Sequence, residues 1–395
     1  MPTSVLARAP SESIPLLVRE PYRLMFPIGA ALAVAGVGHW LLHAVGVLDD
    51  FRPIFHAMTQ VQGFLMAFAV GFLFTMIPRR TASAPPSIPT LCIGALAPIG
   101  IAAFAWYGAW MWSQLIWLVL AFTVLGFVVR RFSPTVARRR PPNSFVWIPV
   151  AFVLGVFGAS MTGYGAVHRA SFWWMHELGR GLVLQGMFVA LVLGVGGLAI
   201  PLMTRGEAPA DADASTRHHR LLHGLAAAAL VGSFALEQWV SLRSGLAVRG
   251  AVVAATLALS TELYRWPTKP GGVRRLIWVA AWMIPLGFVL AAIFHEEAKA
   301  FLHVTFIGGL ALLTLAVSTQ VALGHGGFGA LLDGRPKAVF AIGGFVGSAI
   351  IPRVLMAYEP ERYFVWMGVA AALFLAGLVA WMALVVPKLG STDPA

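Results

Sequence analysis

Imidazoles carry the most reactive chemistry in this sequence. There are 11 histidines, and they are unevenly placed. "GHWLLH" sets His39 and His43 four residues apart, so a helix presents both rings on one face. "FRPIFHAMTQVQGF" puts His56 at the opening of a segment that is otherwise largely apolar as far as Ile77. His176 precedes Glu177, and Arg180 follows three residues after that Glu, the spacing of an ion pair along a helix. His168, His295 and His303 flank further apolar runs. Neutral imidazole is a ligand for a transition metal or haem iron, and a neighbouring carboxylate such as Glu177 can fix its tautomer. His39, His43, His56, His176 and His303 are therefore the candidate metal ligands. A lone histidine at a membrane boundary more often anchors its helix or bonds a neighbouring one than ligates. The number gathered at one end is what points to a metal; His168 and His295 read as solvated.

The remaining polar features are weaker. In "RHHR" (217–220) adjacent rings point apart on a helix, which suits a headgroup contact rather than a metal. Glu237 and Glu262 sit near span ends and read as solvated, the alternative being proton-relay carboxylates. "GHGGFG" (324–329) follows an apolar helix with no strand before it, so it reads as a helix stop and not a phosphate loop. The single Cys92 lies in an apolar run, which leaves neither a disulfide nor a thiolate metal site within one chain. No catalytic triad is visible.

Membrane helices must position these residues. The chain is 59% hydrophobic and 11% charged with mean hydropathy +0.80, which excludes a soluble globular domain. Apolar runs long enough to cross a bilayer recur throughout, and the absence of alternation excludes a spanning barrel. The fold class is all-α, a polytopic transmembrane bundle forming one integral membrane domain over 1–395. Twelve spans are read at about 24–46, 54–77, 88–108, 111–129, 145–164, 173–203, 221–241, 245–264, 276–294, 300–323, 338–357 and 363–386. The first is an anchor, lacking a small-x-small cleavage site. "WYGAW" separates the third from the fourth with a glycine turn and interfacial aromatics. Twenty Lys and Arg residues fall on one side, among them Arg8, Arg138 and Lys388, against six on the other, Arg249 being one of these. The positive-inside rule then puts both termini in the cytoplasm. His39, His43, His56, His168, His176, His295 and His303 share the outer leaflet, while His218, His219, His223 and His325 lie inside. The formal charge of +12 thus reports orientation and contact with lipid, not nucleic acid. The linker "RRFSPTVARRRPPN" suits anionic headgroups and "TRGEAPADADASTRHHR" a flexible hinge.

A repeat at an offset of 123 residues is also legible. Gln62, Gly63, Gly71, Pro78 and Thr81 of the second span correspond to Gln185, Gly186, Gly194, Pro201 and Thr204 of the sixth. A second step reaches Gly309 and Gly324 in the tenth, a weaker match. Three four-helix units are expected, about 24–140, 145–265 and 276–386.

The tenth span, "HVTFIGGLALLTLAVSTQVALGHGG", resembles the signature of the NnrS family of bacterial inner-membrane proteins. His303, Gly308, Leu315, Val317, Leu323, Gly324, His325 and Gly327 carry the likeness, with Gln320 where that family usually has Arg. "GGLAIPLMTRGE" is similar to the family's Gly-Arg-x-Ile-Pro-x-x-Thr-Arg element through Ile200, Pro201, Thr204 and Arg205, and "PYRLMFPIGA" to its usual approach to the first helix. The resemblance implies twelve helices, haem and copper as cofactors, and a part in relieving nitric oxide stress. It departs at the second helix: the family opens with Trp-His-x-His-Glu-Met, here Phe55, His56, Ala57, Met58, Thr59 and Gln60. One imidazole survives, the Glu is gone, and Met58 would have to serve as a soft ligand for Cu(I) or haem iron. The cofactor residues implied are His56, His303, His176 and Met58, in a cell inner membrane, with a small gas or reactive nitrogen species as the partner molecule. Turnover would need an electron donor from another chain, so enzyme and binding protein both stay open. The alternatives are a secondary transporter, whose site should lie near the midplane, and a metal-free structural or assembly factor.

Overall fold

The structure is a computed structural model that describes residues 15–133, 135–136, 140–209 and 217–391. Arg8 of the leader, Arg138 and Arg139 of the basic linker and the centre of the 204–220 linker lie outside the described residues. The described residues fold into twelve helices long and apolar enough to cross a membrane: α1 (Tyr22–Ala44), α2 (Pro53–Thr81), α3 (Ile88–Trp106), α4 (Trp110–Phe132), α5 (Asn143–Val167), α6 (Ser171–Arg205), α7 (Arg217–Trp239), α8 (Leu242–Thr261), α9 (Gly272–Ile293), α10 (Ala298–His325), α11 (Lys337–Tyr358) and α12 (Pro360–Lys388). No end departs by more than four residues from the hydropathy reading; most helices run on past the apolar core into interfacial residues, while α1, α3, α7, α8 and α9 stop one to three residues short at their C-terminal ends. There is no strand among the described residues. Gly108, at φ +70°, makes the turn between α3 and α4, and Ser87 and Ser241 cap α3 and α8.

Packing recurs with a four-helix period. In each set of four the first helix packs on the second and the third on the fourth. The fourth then packs on the first of the next set: α4 on α5, α8 on α9, and α12 back on α1. This closes a ring around the second helices α2, α6 and α10. Their apolar windows are 83%, 78% and 61% buried, against at most 56% for any outer helix. Leu96, Leu225 and Leu259 on outer helices remain 65%, 69% and 77% exposed, the surface a bilayer would cover.

Glycine lets the first and second helices meet. A Cβ on Gly71 would lie 2.7 Å from Met25 Cβ, and one on Gly194 would lie 3.0 Å from Ile148 Cγ1. The paired threonines act alike too: Thr81 Oγ1 donates to the Ile77 carbonyl (2.8 Å) and Thr204 Oγ1 to the Ile200 carbonyl (2.6 Å). Beyond each, the chain turns through a left-handed residue, Ala82 or Gly206.

An even number of crossings brings both chain ends to one face, called here the terminal face. There Glu20 pairs with Arg23 (2.5 Å) and Arg79, and Arg23 donates to the Leu389 and Ser391 carbonyls, tying the start of the chain to its end. Burial alone would raise the Glu20 carboxyl, but Arg23 and Arg79 outweigh it and hold it below the usual range. On the same face Glu207 accepts from Arg205 (2.8 Å) and Arg265 (2.9 Å). Glu262, expected to be solvated, is nearly half exposed and pairs with Arg265 at 2.5 Å.

Two expectations need correction. Arg249 does not sit at the membrane edge and Glu237 is not simply solvated. Arg249 lies inside α8 with no exposed surface, and its Nη2 meets Glu237 Oε2 of α7 at 2.6 Å. Two charges in an apolar bundle are tolerable only as a pair, and this one joins neighbouring helices.

Candidate functional site

The three central helices share a fault. Each contains a π-helical turn, Thr59–Leu65 in α2, Leu182–Met187 in α6 and Val304–Ala311 in α10, starting 123 and 122 residues apart. The turns lie in the half of each helix that is remote from the terminal face. A π-helical turn widens the helix and redirects its side chains, and such turns are frequent at functional sites. Here all three border one cavity of about 720 Å³, within the range of cofactor and ligand sites.

Two of the expected histidines line this cavity. His56 Nδ1 donates to the Gly36 carbonyl (2.8 Å), which leaves the lone pair on Nε2. His303 Nδ1 donates to the Lys299 carbonyl (2.7 Å), and its Nε2 accepts from Arg353 Nη2 of α11 (2.7 Å). Both rings are thus fixed in the same tautomer by a main-chain oxygen, the device that orients ligating imidazoles.

The other candidates are placed differently. His176 is buried behind the wall, with Nδ1 on the Thr162 carbonyl (3.1 Å) and its ring 6.0 Å from that of Trp110; Thr162 and Trp110 are themselves lining residues. Glu177 does not orient it, because that carboxylate is taken by Arg180 at 2.7 Å, as the i, i+3 spacing predicts. His39 lies next to His56, ring centroids 6.2 Å apart, and shares the Gly36 carbonyl at 3.0 Å, while its Nε2 is buried without a partner. His43 bonds the Leu48 carbonyl (2.9 Å) and packs on Phe364 and on Phe51, a lining residue, without lining the cavity itself. No group of three or more His, Cys, Asp or Glu side chains suited to a metal ion is gathered among the described residues.

Met58 lines the cavity, but its sulfur accepts from Gln114 Nε2 (3.6 Å) and Ser113 Oγ (3.7 Å). Gln114 and Gln62, both buried, form a reciprocal amide pair at 3.1 Å in each direction. Gln185, the counterpart of Gln62 in α6, instead accepts from Arg249 Nη1 at 2.5 Å, so the buried ion pair braces the cavity wall.

Three residues of the site escaped the sequence reading. Arg353 and Lys299 line the cavity and Arg249 supports it from behind. A signal was present for Arg353, an arginine inside the apolar run "AIIPRVLMA", where only a polar interior can hold it. Below the π turns α2, α6 and α10 also bound a second cavity of about 90 Å³, walled by Phe68, Phe188, Leu191, Leu313 and Val317.

A family model described as NnrS protein matches residues 16–392. No curated protein matches the chain.

Proposed function

Since the chain belongs to the NnrS family, we propose that it is a membrane protein of nitric oxide defence that binds haem in this cavity through His56 and His303. The observation that carries the proposal is that two imidazoles, far apart in sequence, border one cavity with Nδ1 tied to a carbonyl, so that Nε2 is the nitrogen that could ligate, at His303 in exchange for its bond from Arg353. His39 lies beside His56 but does not line the cavity, so two imidazoles reach it, and a macrocycle that brings its own four nitrogens needs no more. A haem held there would offer nitric oxide a coordination position once one of the two imidazoles gives up the iron.

The chain's own residues then have separate tasks. Gly36 and Lys299 carbonyls hold the tautomers. His303 offers its Nε2 only when the Arg353 guanidinium finds another acceptor. Phe64, Phe306 and Phe374 exclude water around an apolar occupant. The smaller cavity lined by Phe68 and Leu191 suits an uncharged diatomic gas. Met58 is an orienting neighbour of Gln114 in this reading, not a ligand. No redox domain is carried, so turnover would draw electrons from another protein.

The excess of basic residues on the terminal face supports an inner membrane with both termini cytoplasmic, which turns the cavity half toward the periplasm. The recurrent packing and the three π turns support residues 24–140, 145–265 and 276–386 as copies of one unit. Broken helices around a central cavity also serve transporters, but His56 and His303 lie only three and five residues into α2 and α10, near one edge of the span. The test is haem content per chain, by pyridine haemochrome, with survival of expressing cells under a nitric oxide donor. Native protein from haem-replete cells should carry haem and protect, and His56→Ala and His303→Ala should do neither. A haem-free native protein would overturn the reading.

A further inference from the structure

The charge on the cavity wall has one sign. Arg353, Lys299 and Arg180 line it, and among the described residues no Asp or Glu does. Arg180 is balanced by Glu177 outside the lining, but neither Arg353 nor Lys299 has a carboxylate partner. Arg353 is the telling case. Its Nη2 donates to neutral His303, its Nη1 to Met356 Sδ at 3.3 Å, and its Nε is buried with no acceptor. A guanidinium is worth placing in a membrane bundle only where an anion repays its desolvation, and a thioether and an imidazole are poor repayment. The rest of the lining is aromatic and aliphatic, with Trp40, Phe64, Phe306 and Phe374 among it.

We infer that Arg353, with Lys299 on the same cavity wall, forms a carboxylate subsite in the cavity, so that the occupant is an anionic amphiphile and not a neutral one. This rests on the cavity reading above and deepens it. The carboxylate takes the guanidinium in the fork geometry that arginine offers, and the same move frees His303 Nε2. The shared chemistry, an acid group on a large apolar body, fits a porphyrin with its acid side chains or a fatty acid.

The experiment uses the full-length protein in lipid nanodiscs, prepared from haem-deficient cells, and two metal-free probes: protoporphyrin IX and its dimethyl ester. Without iron neither probe can report ligation, so fluorescence titration reads the carboxylate subsite alone. The diacid should bind at least about tenfold more tightly than the diester, and Arg353→Gln should bring the ratio near unity. Lys299→Gln, an exposed position that folding tolerates, should reduce it several-fold. Equal affinity for diacid and diester in the native protein would overturn the subsite while leaving haem binding standing. Should neither porphyrin bind, haem would need its iron to be held, and palmitate against methyl palmitate decides the subsite: a preference for the acid that Arg353→Gln removes supports it, and equal binding refutes it.

Discussion

Replacing Arg249 with leucine is the perturbation for which the structure gives the fullest account. Every guanidinium nitrogen of Arg249 is used: Nε donates to Ser233 Oγ (3.2 Å), Nη1 to Gln185 Oε1 (2.5 Å) and Nη2 to Glu237 Oε2 (2.6 Å), while Cζ lies 3.6 Å from the Phe234 ring centroid. Breaking a buried ion pair costs about 3–5 kcal/mol, mostly through the charge left behind. Glu237 keeps 27% of its side-chain surface exposed and can turn toward water, which sets the cost near the lower end. Losing the cation–π contact and two further hydrogen bonds adds about 1–2 kcal/mol, given the modest worth of such bonds in membranes. Arg249→Leu should therefore destabilise the fold by roughly 4 kcal/mol. Arg249→Leu combined with Glu237→Leu leaves no orphan charge and should regain at least about 2 kcal/mol. Unfolding in mixed micelles titrated with SDS, followed by tryptophan fluorescence, measures both. A double variant as unstable as the sum of the singles would show that the two charges do not act as a pair and would refute the reasoning.

Other consequences can be checked separately. A Cβ on Gly287 of α9 would collide with the backbone nitrogen and Oγ1 of Thr305, at the start of the π turn in α10, so Gly287→Ala should cost about 1–3 kcal/mol and lower ligand content. Gly232→Ala on α7, where an added methyl meets nothing within 4 Å, should be neutral to slightly stabilising in the same unfolding assay. Hydrogen bonds from Arg205 and Arg265 hold the Glu207 carboxylate below its usual range, so its contribution is complete above the unfolded pKa of about 4.3 and fades as pH falls through the lower folded value. The difference in thermal midpoint between native protein and Glu207→Gln should accordingly be full at neutral pH and shrink under acid. Because its sulfur is already taken by Gln114 and Ser113, Met58→Leu should leave any haem absorption band where it is, and a shifted band would make Met58 a ligand after all.

Helix number and position were legible because hydropathy and basic linkers report a bilayer residue by residue. The Glu177–Arg180 pair was legible for the same local reason, a spacing of three on one helix. The repeat offset of 123 marked Gly71 and Gly194 before their packing role was visible, and the π turns at Thr59 and Leu182 fall at the same separation. What the sequence could not provide was convergence between distant segments. His39, His43 and His176 satisfy the same residue-type test as His56 and His303 and bond main-chain carbonyls through Nδ1 just as they do, and only tertiary packing separates the pair that lines the cavity from the three that do not. Arg249 was misplaced because an arginine near the start of a span reads as a boundary residue, whereas a partly exposed carboxylate on a neighbouring helix can hold it inside.

The shared-cavity account is tested most directly by visible absorption of His56→Gly and His303→Gly, purified beside native protein from haem-replete cells, with and without added imidazole. A ligating ring that is replaced by glycine leaves room for the free base to take its place. The account predicts a Soret band in native protein, its loss or displacement in the glycine variants, and its return with imidazole. A native band that persists unchanged in both variants would contradict it.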